Sequence, residues 1–164
     1  MQLRGQDRLK ERYEDILEDF LIPFESNLQA NRSRFNELIK DTGLTHIELL
    51  PKDLQEAFQS LPDNDVRIVQ WHVDIDHLME YNNRSIQLIN RYLGKIVLDD
   101  FKSACEKFRN HAEKWEDVWK LVLKKELMPP SVGNKLLAPP FPKELNDKIR
   151  DEIKEIKRLA GKAG

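Results

Sequence analysis

The chain has 164 residues and a formal net charge of -2, with 40% hydrophobic and 34% charged residues. This composition is typical of a soluble, helical protein with a charged surface. Since 27 basic residues are balanced by 29 acidic ones, we expect no nucleic-acid partner. The 6 glycines are too few for the turns of a β-sandwich or barrel. No segment approaches the roughly 20 apolar residues needed to span a bilayer, and the N-terminus lacks a signal-peptide pattern.

The first predicted helix runs from about Asp7 to Lys40. Pro23 interrupts it and removes one backbone donor, but the apolar stripe continues in phase, so we expect a kink rather than an end. Gly43 then supplies a C-terminal stop. The stripe consists of Leu9, Tyr13, Ile16, Leu17, Phe20, Phe24, Leu28, Phe35 and Leu38.

A shorter, broken region follows, in which Thr45 and Glu48 have the spacing of a capping box. Pro51 suits the first turn of a short extra helix, which Leu61 and Pro62 close. The apolar residues of this helix are Leu54, Ala57 and Phe58. We interpret the region as a crossover between two long helices.

The second long helix is predicted to begin after Asp63 or Asn64 and to end near Leu98, with Gly94 weakening its last turns. Its apolar stripe consists of Ile68, Trp71, Ile75, Leu78, Met79, Ile86, Ile89, Leu93 and Ile96. A third long helix follows a cap at Asp99 or Asp100. Its stripe consists of Phe101, Ala104, Cys105, Phe108, Ala112, Trp115, Trp119 and Val122.

A proline-rich connecting loop covers residues 129–142 and holds five of the 8 prolines. We interpret it as a structural strap, with polyproline docking as the alternative. A last helix from about Lys143 to Leu159 carries Leu145, Ile149, Ile153, Ile156 and Ala160 on one face. The pattern predicts an all-α fold: one four-helix-bundle-like domain over residues 1–164, with a short extra helix.

The sequence contains no zinc-protease motif, P-loop, dinucleotide fingerprint or nucleophile elbow. The segment from Trp71 to His77 resembles a cluster of metal ligands. However, the pairs His72/Asp76 and Asp74/His77 point in different directions on a helix, and neither lies at the centre of the apolar stripe. We therefore expect no metal and no cofactor.

Four residues are candidates for a buried polar site: Asn31, Asn82, His72 and His111. The two asparagines interrupt the apolar stripes, and we predict that no other polar residues are as well placed to face inward. A buried amide needs a partner, so mutual or backbone hydrogen bonding that fixes helix register is one interpretation. A small polar cavity for a ligand and a partner interface are the others. The histidines suit the boundary of the core.

Two further features concern the chain's environment. Cys105, the single cysteine, lies among apolar helix positions, which favours a buried structural thiol and a reducing compartment. Arg4, Arg8, Lys10 and Arg12 form a modest basic cluster. It suits a solvated helix face, and it would also suit the flank of a membrane anchor upstream of this sequence.

These observations predict a non-enzymatic interaction or regulatory domain, in the cytoplasm or at the cytoplasmic face of a membrane. We expect a protein partner or self-association, and contact with a membrane only through an upstream anchor. The alternative is a small-ligand-binding or metal-dependent bundle enzyme, which would require the four candidate residues to converge in one cavity.

Overall fold

The computed structural model describes residues 2–42, 51–123 and 141–163, and every regular element in these ranges is helical. The α-helices are α1 (Gln2–Ile16), α2 (Ile22–Thr42), α3 (Pro51–Gln59), α4 (Val66–Tyr92), α5 (Asp99–Leu123) and α6 (Leu145–Ala163). The prediction of an all-α, bundle-like fold is confirmed. The predicted stop at Gly43, the capping box of Thr45 and Glu48, and residues 129–140 of the proline-rich loop lie outside the described residues.

Pro23 leaves the first long helix unbroken, as predicted, because a π-helical turn over Leu17–Leu21 joins α1 to α2. In this turn the N–H of Ile22 donates to the carbonyl oxygen of Leu17, five residues back. The proline has no N–H, and in a regular α-helix its ring crowds the carbonyl group four residues before it. We interpret the wider turn as the accommodation of this clash.

The α4 helix ends earlier than the sequence predicts. It gives way to a 3₁₀ turn over Leu93–Lys95, and Ile96 then has extended backbone, with φ -69° and ψ 131°. Gly94 lies inside this turn, where its low helix propensity favours the change. The predicted end at Leu98 was therefore wrong, whereas the next helix begins at Asp99, one of the two residues predicted as its cap.

The described residues form two compact units, each with its own core. The first unit comprises Met1–Asn27, Arg84–Arg109 and Phe141–Gly164. Within it α1 packs against α6, and an aromatic cluster fills the interior. The rings of this cluster are Phe20, Phe24, Tyr92, Phe101 and Phe108, and the first of them stacks on Tyr92 with 5.1 Å between centroids. Cys105 is buried in this unit, as predicted.

The second unit comprises Leu28–Asn83 and Asn110–Pro140. Its buried core consists of Leu38, Phe58, Ile68, Trp71, Ile75, Leu78, Val118, Trp119 and Val122. Trp115 is half-buried beside this core and contacts the rings of Phe35 and Trp119. Every other member of the predicted α5 stripe is buried. The organisation of residues 1–164 as a single domain stays a prediction.

Candidate functional site

The polar interior differs from the sequence prediction. Asn31 and Asn82 are only half-buried, whereas the buried polar side chains of the described residues include Gln55, Asp74, Ser85 and Glu152. The prediction that the two asparagines were the best-placed polar residues was therefore wrong. A hydropathy pattern predicts the burial of each residue from its own polarity. A polar side chain can nevertheless be buried when it forms hydrogen bonds with a partner.

Asn31 and Asn82 nevertheless form a direct contact between α2 and α4. The Nδ2 atom of Asn31 donates a hydrogen bond of 2.9 Å to Oδ1 of Asn82. The same nitrogen lies 3.4 Å from the carbonyl oxygen of Leu78, one turn earlier on α4. One amide thus bridges two positions on the facing helix, which is the mutual and backbone bonding expected of a register contact.

A charged pair lies beside this contact on the same two helices. Arg34 Nη1 donates to Asp74 Oδ1 over 3.1 Å, and Gln70 Nε2 donates to the same oxygen over 3.1 Å. The side chain of Asp74 is only 2% exposed and that of Arg34 is 27% exposed. Hydrogen bonds to Asp74 and then to Tyr81 raise the pKa of the Arg34 guanidinium above its ordinary value.

Helical spacing explains why these residues meet. Asp74 and Asn82 are eight residues apart on α4, and Asn31 and Arg34 are three apart on α2, so each pair faces the same side of its helix. We call these four residues the polar seam. Asp74 was expected off the centre of the apolar stripe, whereas its side chain is buried. Its partner Arg34 lies 40 residues earlier in the chain, so spacing along α4 alone gave no signal of the ion pair.

The structure places the two candidate histidines against aromatic rings. The ring centroid of His72 is 6.0 Å from that of Phe58, and the centroid of His111 is 6.2 Å from that of Trp115. Both histidines are half-buried, as expected for the boundary of the core. His72 and Asn82 are ten residues apart on one helix, which corresponds to about 15 Å along the axis. Asn82 and His72 therefore do not share one small cavity.

The histidine- and aspartate-rich segment of α4 spreads its side chains in different directions. Asp74 points into the polar seam, Asp76 is exposed, and His77 lies 4.0 Å from Glu80 and stacks on Tyr81. Within residues 2–42, 51–123 and 141–163, no three His, Cys, Asp or Glu side chains are grouped so that they could hold a metal ion. The expectation of no metal stays a prediction.

Glu152 on α6 is a buried polar residue that was not among the candidates predicted from the sequence. Its side chain is 1% exposed, and its two carboxylate oxygens accept hydrogen bonds from Val97 N–H over 2.6 Å and from Leu98 N–H over 3.0 Å. These two backbone donors immediately precede the first residue of α5. The N–H groups at the start of a helix have no carbonyl acceptor within that helix, and Glu152 supplies the acceptors for Val97 and Leu98. Burial raises the pKa of Glu152 above its ordinary value.

Cys105 lies in the same unit as Glu152. Burial raises the pKa of the Cys105 thiol far above its ordinary value, and the carboxylate of Glu152 adds to the rise. A nucleophilic cysteine needs the opposite setting, with partial exposure and nearby positive charge. The geometry therefore assigns Cys105 a packing role.

The most exposed apolar feature of the described chain is a row of valines at the start of α4. Val66 is 82% exposed, Val69 is 58% exposed and Val73 is 42% exposed. Because they are separated by three and four residues, they form one continuous line along the helix. We call this line the valine ridge. The helical spacing of these valines is visible in the sequence, but it was not predicted as a surface feature because the stripe of Ile68 and Trp71 on the same helix is stronger.

Acidic side chains border the valine ridge. Asp76 and Glu80 are exposed and continue the same line beyond Val73, and Asp63 is exposed before its first residue. The nearest cation in sequence, Arg67, is held by Asp65, with Nη2 3.0 Å from Oδ2. The hydrogen bond to Arg67 lowers the pKa of Asp65 below its ordinary value, so this carboxyl group is ionised at neutral pH.

Comparison with protein-family models, with curated proteins and with solved structures finds no match for this chain. None of the described helices has a stretch that is both long enough and apolar enough to cross a membrane. The polar seam, Glu152 and the valine ridge are therefore the features from which a function can be inferred.

Proposed function

We propose that this chain is a non-enzymatic interaction or regulatory domain that works by protein contact through the valine ridge. The observation that carries the proposal is the exposure of Val66, Val69 and Val73 along one line of α4. Isolated apolar residues on a surface need no explanation, but an aligned row rimmed by polar residues is typical of an interaction site. The ridge also has the spacing with which one helix presents anchors to another.

The buried carboxylates of Asp74 and Glu152 support a non-enzymatic function, because they accept hydrogen bonds from the protein itself. The carboxylate of Asp74 accepts from Arg34 and Gln70, and that of Glu152 accepts from two backbone amides. Groups that catalyse reactions or bind ligands need free donors or acceptors directed at the substrate. The alternative of a ligand-binding or metal-dependent enzyme has less support, because these groups are engaged with the protein itself.

For location, we propose the cytoplasm, with the cytoplasmic face of a membrane as the specific site of action. The supporting observation is that Arg4, Arg8 and Arg12 are exposed at intervals of four residues on α1. Such a line of arginines favours contact with anionic lipid headgroups. Flotation of the purified protein with phosphatidylserine vesicles tests this location, and loss of binding in Arg4→Gln/Arg8→Gln is the expected result.

The protein-contact proposal is tested by photo-crosslinking in the cell of origin. A photoreactive amino acid is placed at Val69 in one variant and at Lys114 in the control variant. Lys114 is exposed and belongs to the same unit, but it lies on α5. We expect a discrete crosslinked species from position 69 that is absent from position 114. Equal, diffuse crosslinking from both positions would contradict the proposal.

A further inference from the structure

The valine ridge has a charge pattern that specifies its partner more closely. We propose that the ridge binds a basic amphipathic helix, meaning a partner segment with an apolar stripe flanked by lysine or arginine residues. This inference rests on the proposed function of protein contact and adds the chemical class of the partner.

The charges around the ridge are the first argument. Exposed Asp63 lies at one end, and exposed Asp76 and Glu80 lie at the other, while Arg67 is already paired with Asp65. The unit that contains the ridge has ten basic and fourteen acidic residues, against seventeen and fifteen in the other unit. The exposed acids at the two ends of the ridge therefore present negative charge to a partner, which attracts basic flanks and repels acidic ones.

The dimensions of the ridge are the second argument. Val66 and Val73 are seven residues apart, which corresponds to about 10 Å along the helix axis. Such a line matches two turns of a partner helix with anchors at positions i, i+3 or i+4, and i+7. Three valines cover much less than the roughly 800 Å² per partner of a standard interface. We therefore infer a modest affinity in which electrostatic attraction has a large share.

A second copy of this chain fits the ridge poorly. In a two-fold symmetric pair the same surface meets itself, and the two ridges run either antiparallel or parallel. In the antiparallel pair Asp63 of one copy would lie near Asp76 and Glu80 of the other, and in the parallel pair each acid would face the same residue of the other copy, so like charges repel in both. The charge pattern thus favours a different, basic partner over self-association through this face.

The test uses the whole protein and three fluorescein-labelled synthetic helices of 18 residues. All three have the same leucine positions, and their polar positions are lysine, glutamine or glutamate. Fluorescence anisotropy at low salt measures the dissociation constants. We expect the lysine peptide to bind at least tenfold more tightly than the glutamine peptide, the glutamate peptide not to bind, and the lysine peptide to weaken as salt is added.

Matched variants locate the binding. Val73→Ser is compared with Val97→Ser, because these valines are 42% and 43% exposed, and only Val73 lies on the ridge. Asp76→Asn/Glu80→Gln is compared with Glu113→Gln/Asp117→Asn, two exposed acids on α5. We expect at least a threefold loss of affinity for each ridge variant and no change for its control. Circular dichroism confirms that each variant retains the fold.

Equal binding of the lysine and glutamine peptides, or binding of neither, would overturn the proposal for a basic partner. Equal losses in the ridge and control variants would overturn the location of the site. These failures are distinct from failure of the proposed function. If position 69 still forms a discrete crosslink in the cell, protein contact through the ridge stands while the charge of the partner is wrong.

Discussion

The Nη1 atom of Arg34 lies 3.1 Å from the Oδ1 atom of Asp74, and this contact joins helices α2 and α4 through a carboxylate that is 2% exposed. Removal of Arg34 would leave that carboxylate buried with Gln70 as its remaining side-chain donor among the described residues. We expect Arg34→Met to lower the free energy of unfolding by about 2–3 kcal/mol, less than for a fully buried pair because Arg34 is partly exposed.

The matched control for Arg34 is Arg32→Met, because Arg32 is exposed on the same helix, and we expect a change within about 0.5 kcal/mol. The double variant Arg34→Met/Asp74→Leu removes both charges, so it should be more stable than Arg34→Met alone. Urea unfolding measures all three. Equal losses for Arg32→Met and Arg34→Met would show that the ion pair has no net effect on stability.

The amide contact between Asn31 and Asn82 should depend on one acceptor atom. Asn82→Asp keeps an oxygen at the position of Oδ1 and should retain nearly all the stability. Asn82→Ala leaves Asn31 without this acceptor and should lower the free energy of unfolding by about 0.5–1.5 kcal/mol. Its control is Asn83→Ala, because Asn83 is exposed and the gain in helix propensity is the same.

Thermal and urea unfolding compare the Asn82 and Asn83 variants, and amide NMR spectra report whether the packing remains unique. If Asn82→Ala and Asn83→Ala behave alike, the contact between Asn31 and Asn82 contributes nothing to register or stability.

Glu152 should matter more for stability than its exposed neighbour. Glu152→Ala removes the acceptor of two backbone N–H groups before α5, and we expect a loss of about 2–3 kcal/mol in the free energy of unfolding. Asp151→Ala is the control, since Asp151 is exposed one position earlier. Amide hydrogen exchange at Val97 and Leu98 should accelerate in Glu152→Ala and remain unchanged in Asp151→Ala. Unchanged exchange in both would contradict the capping role.

The burial of Glu152 also predicts a pH dependence. Its folded pKa is raised from an ordinary value of 4.5, chiefly by burial. At pH values between 4.5 and the higher folded pKa, the folded protein holds a proton that the unfolded chain has released. The contribution of Glu152 to the free energy of unfolding is therefore complete below the ordinary value and falls as the pH rises.

Urea unfolding at several pH values tests this dependence on Glu152. Relative to Glu152→Gln, which has no proton to release, the wild-type protein should be more stable near pH 4 than near pH 8. A difference between the two proteins that is constant with pH, or that increases as the pH rises, would contradict the raised pKa.

The architecture could be predicted from the sequence because it depends on local patterns. The α5 stripe from Phe101 to Val122 is visible in neighbouring residues, whereas Gly94 was expected only to weaken the end of α4 and not to end it. The buried polar groups could not be predicted in this way. Asp74 can be buried because it accepts a hydrogen bond from Arg34, which lies 40 residues earlier in the chain. Glu152 can be buried because it accepts one from the N–H of Val97, which lies 55 residues earlier. Such partners are close only after folding, so no spacing along one helix gives their position.

The single thiol gives a further measurable consequence. Because Cys105 is fully buried and burial raises its pKa, it should react with Ellman's reagent only when the core opens. We expect the reaction of the native protein to be at least about a thousandfold slower than that of the denatured protein, since opening a core costs several kcal/mol. Rapid labelling of the native protein would contradict the packing role of Cys105.

The central claim is that the chain works through protein contact at the valine ridge. The most direct measurement is the size of the species that contains this chain after chemical crosslinking inside its cell of origin, which retains contacts of modest affinity. The wild-type protein should migrate in a complex larger than the purified chain, Val69→Asp should migrate at the size of the purified chain, and the control Val97→Asp should remain in the complex. Migration of Val69→Asp with the wild-type complex would contradict the claim.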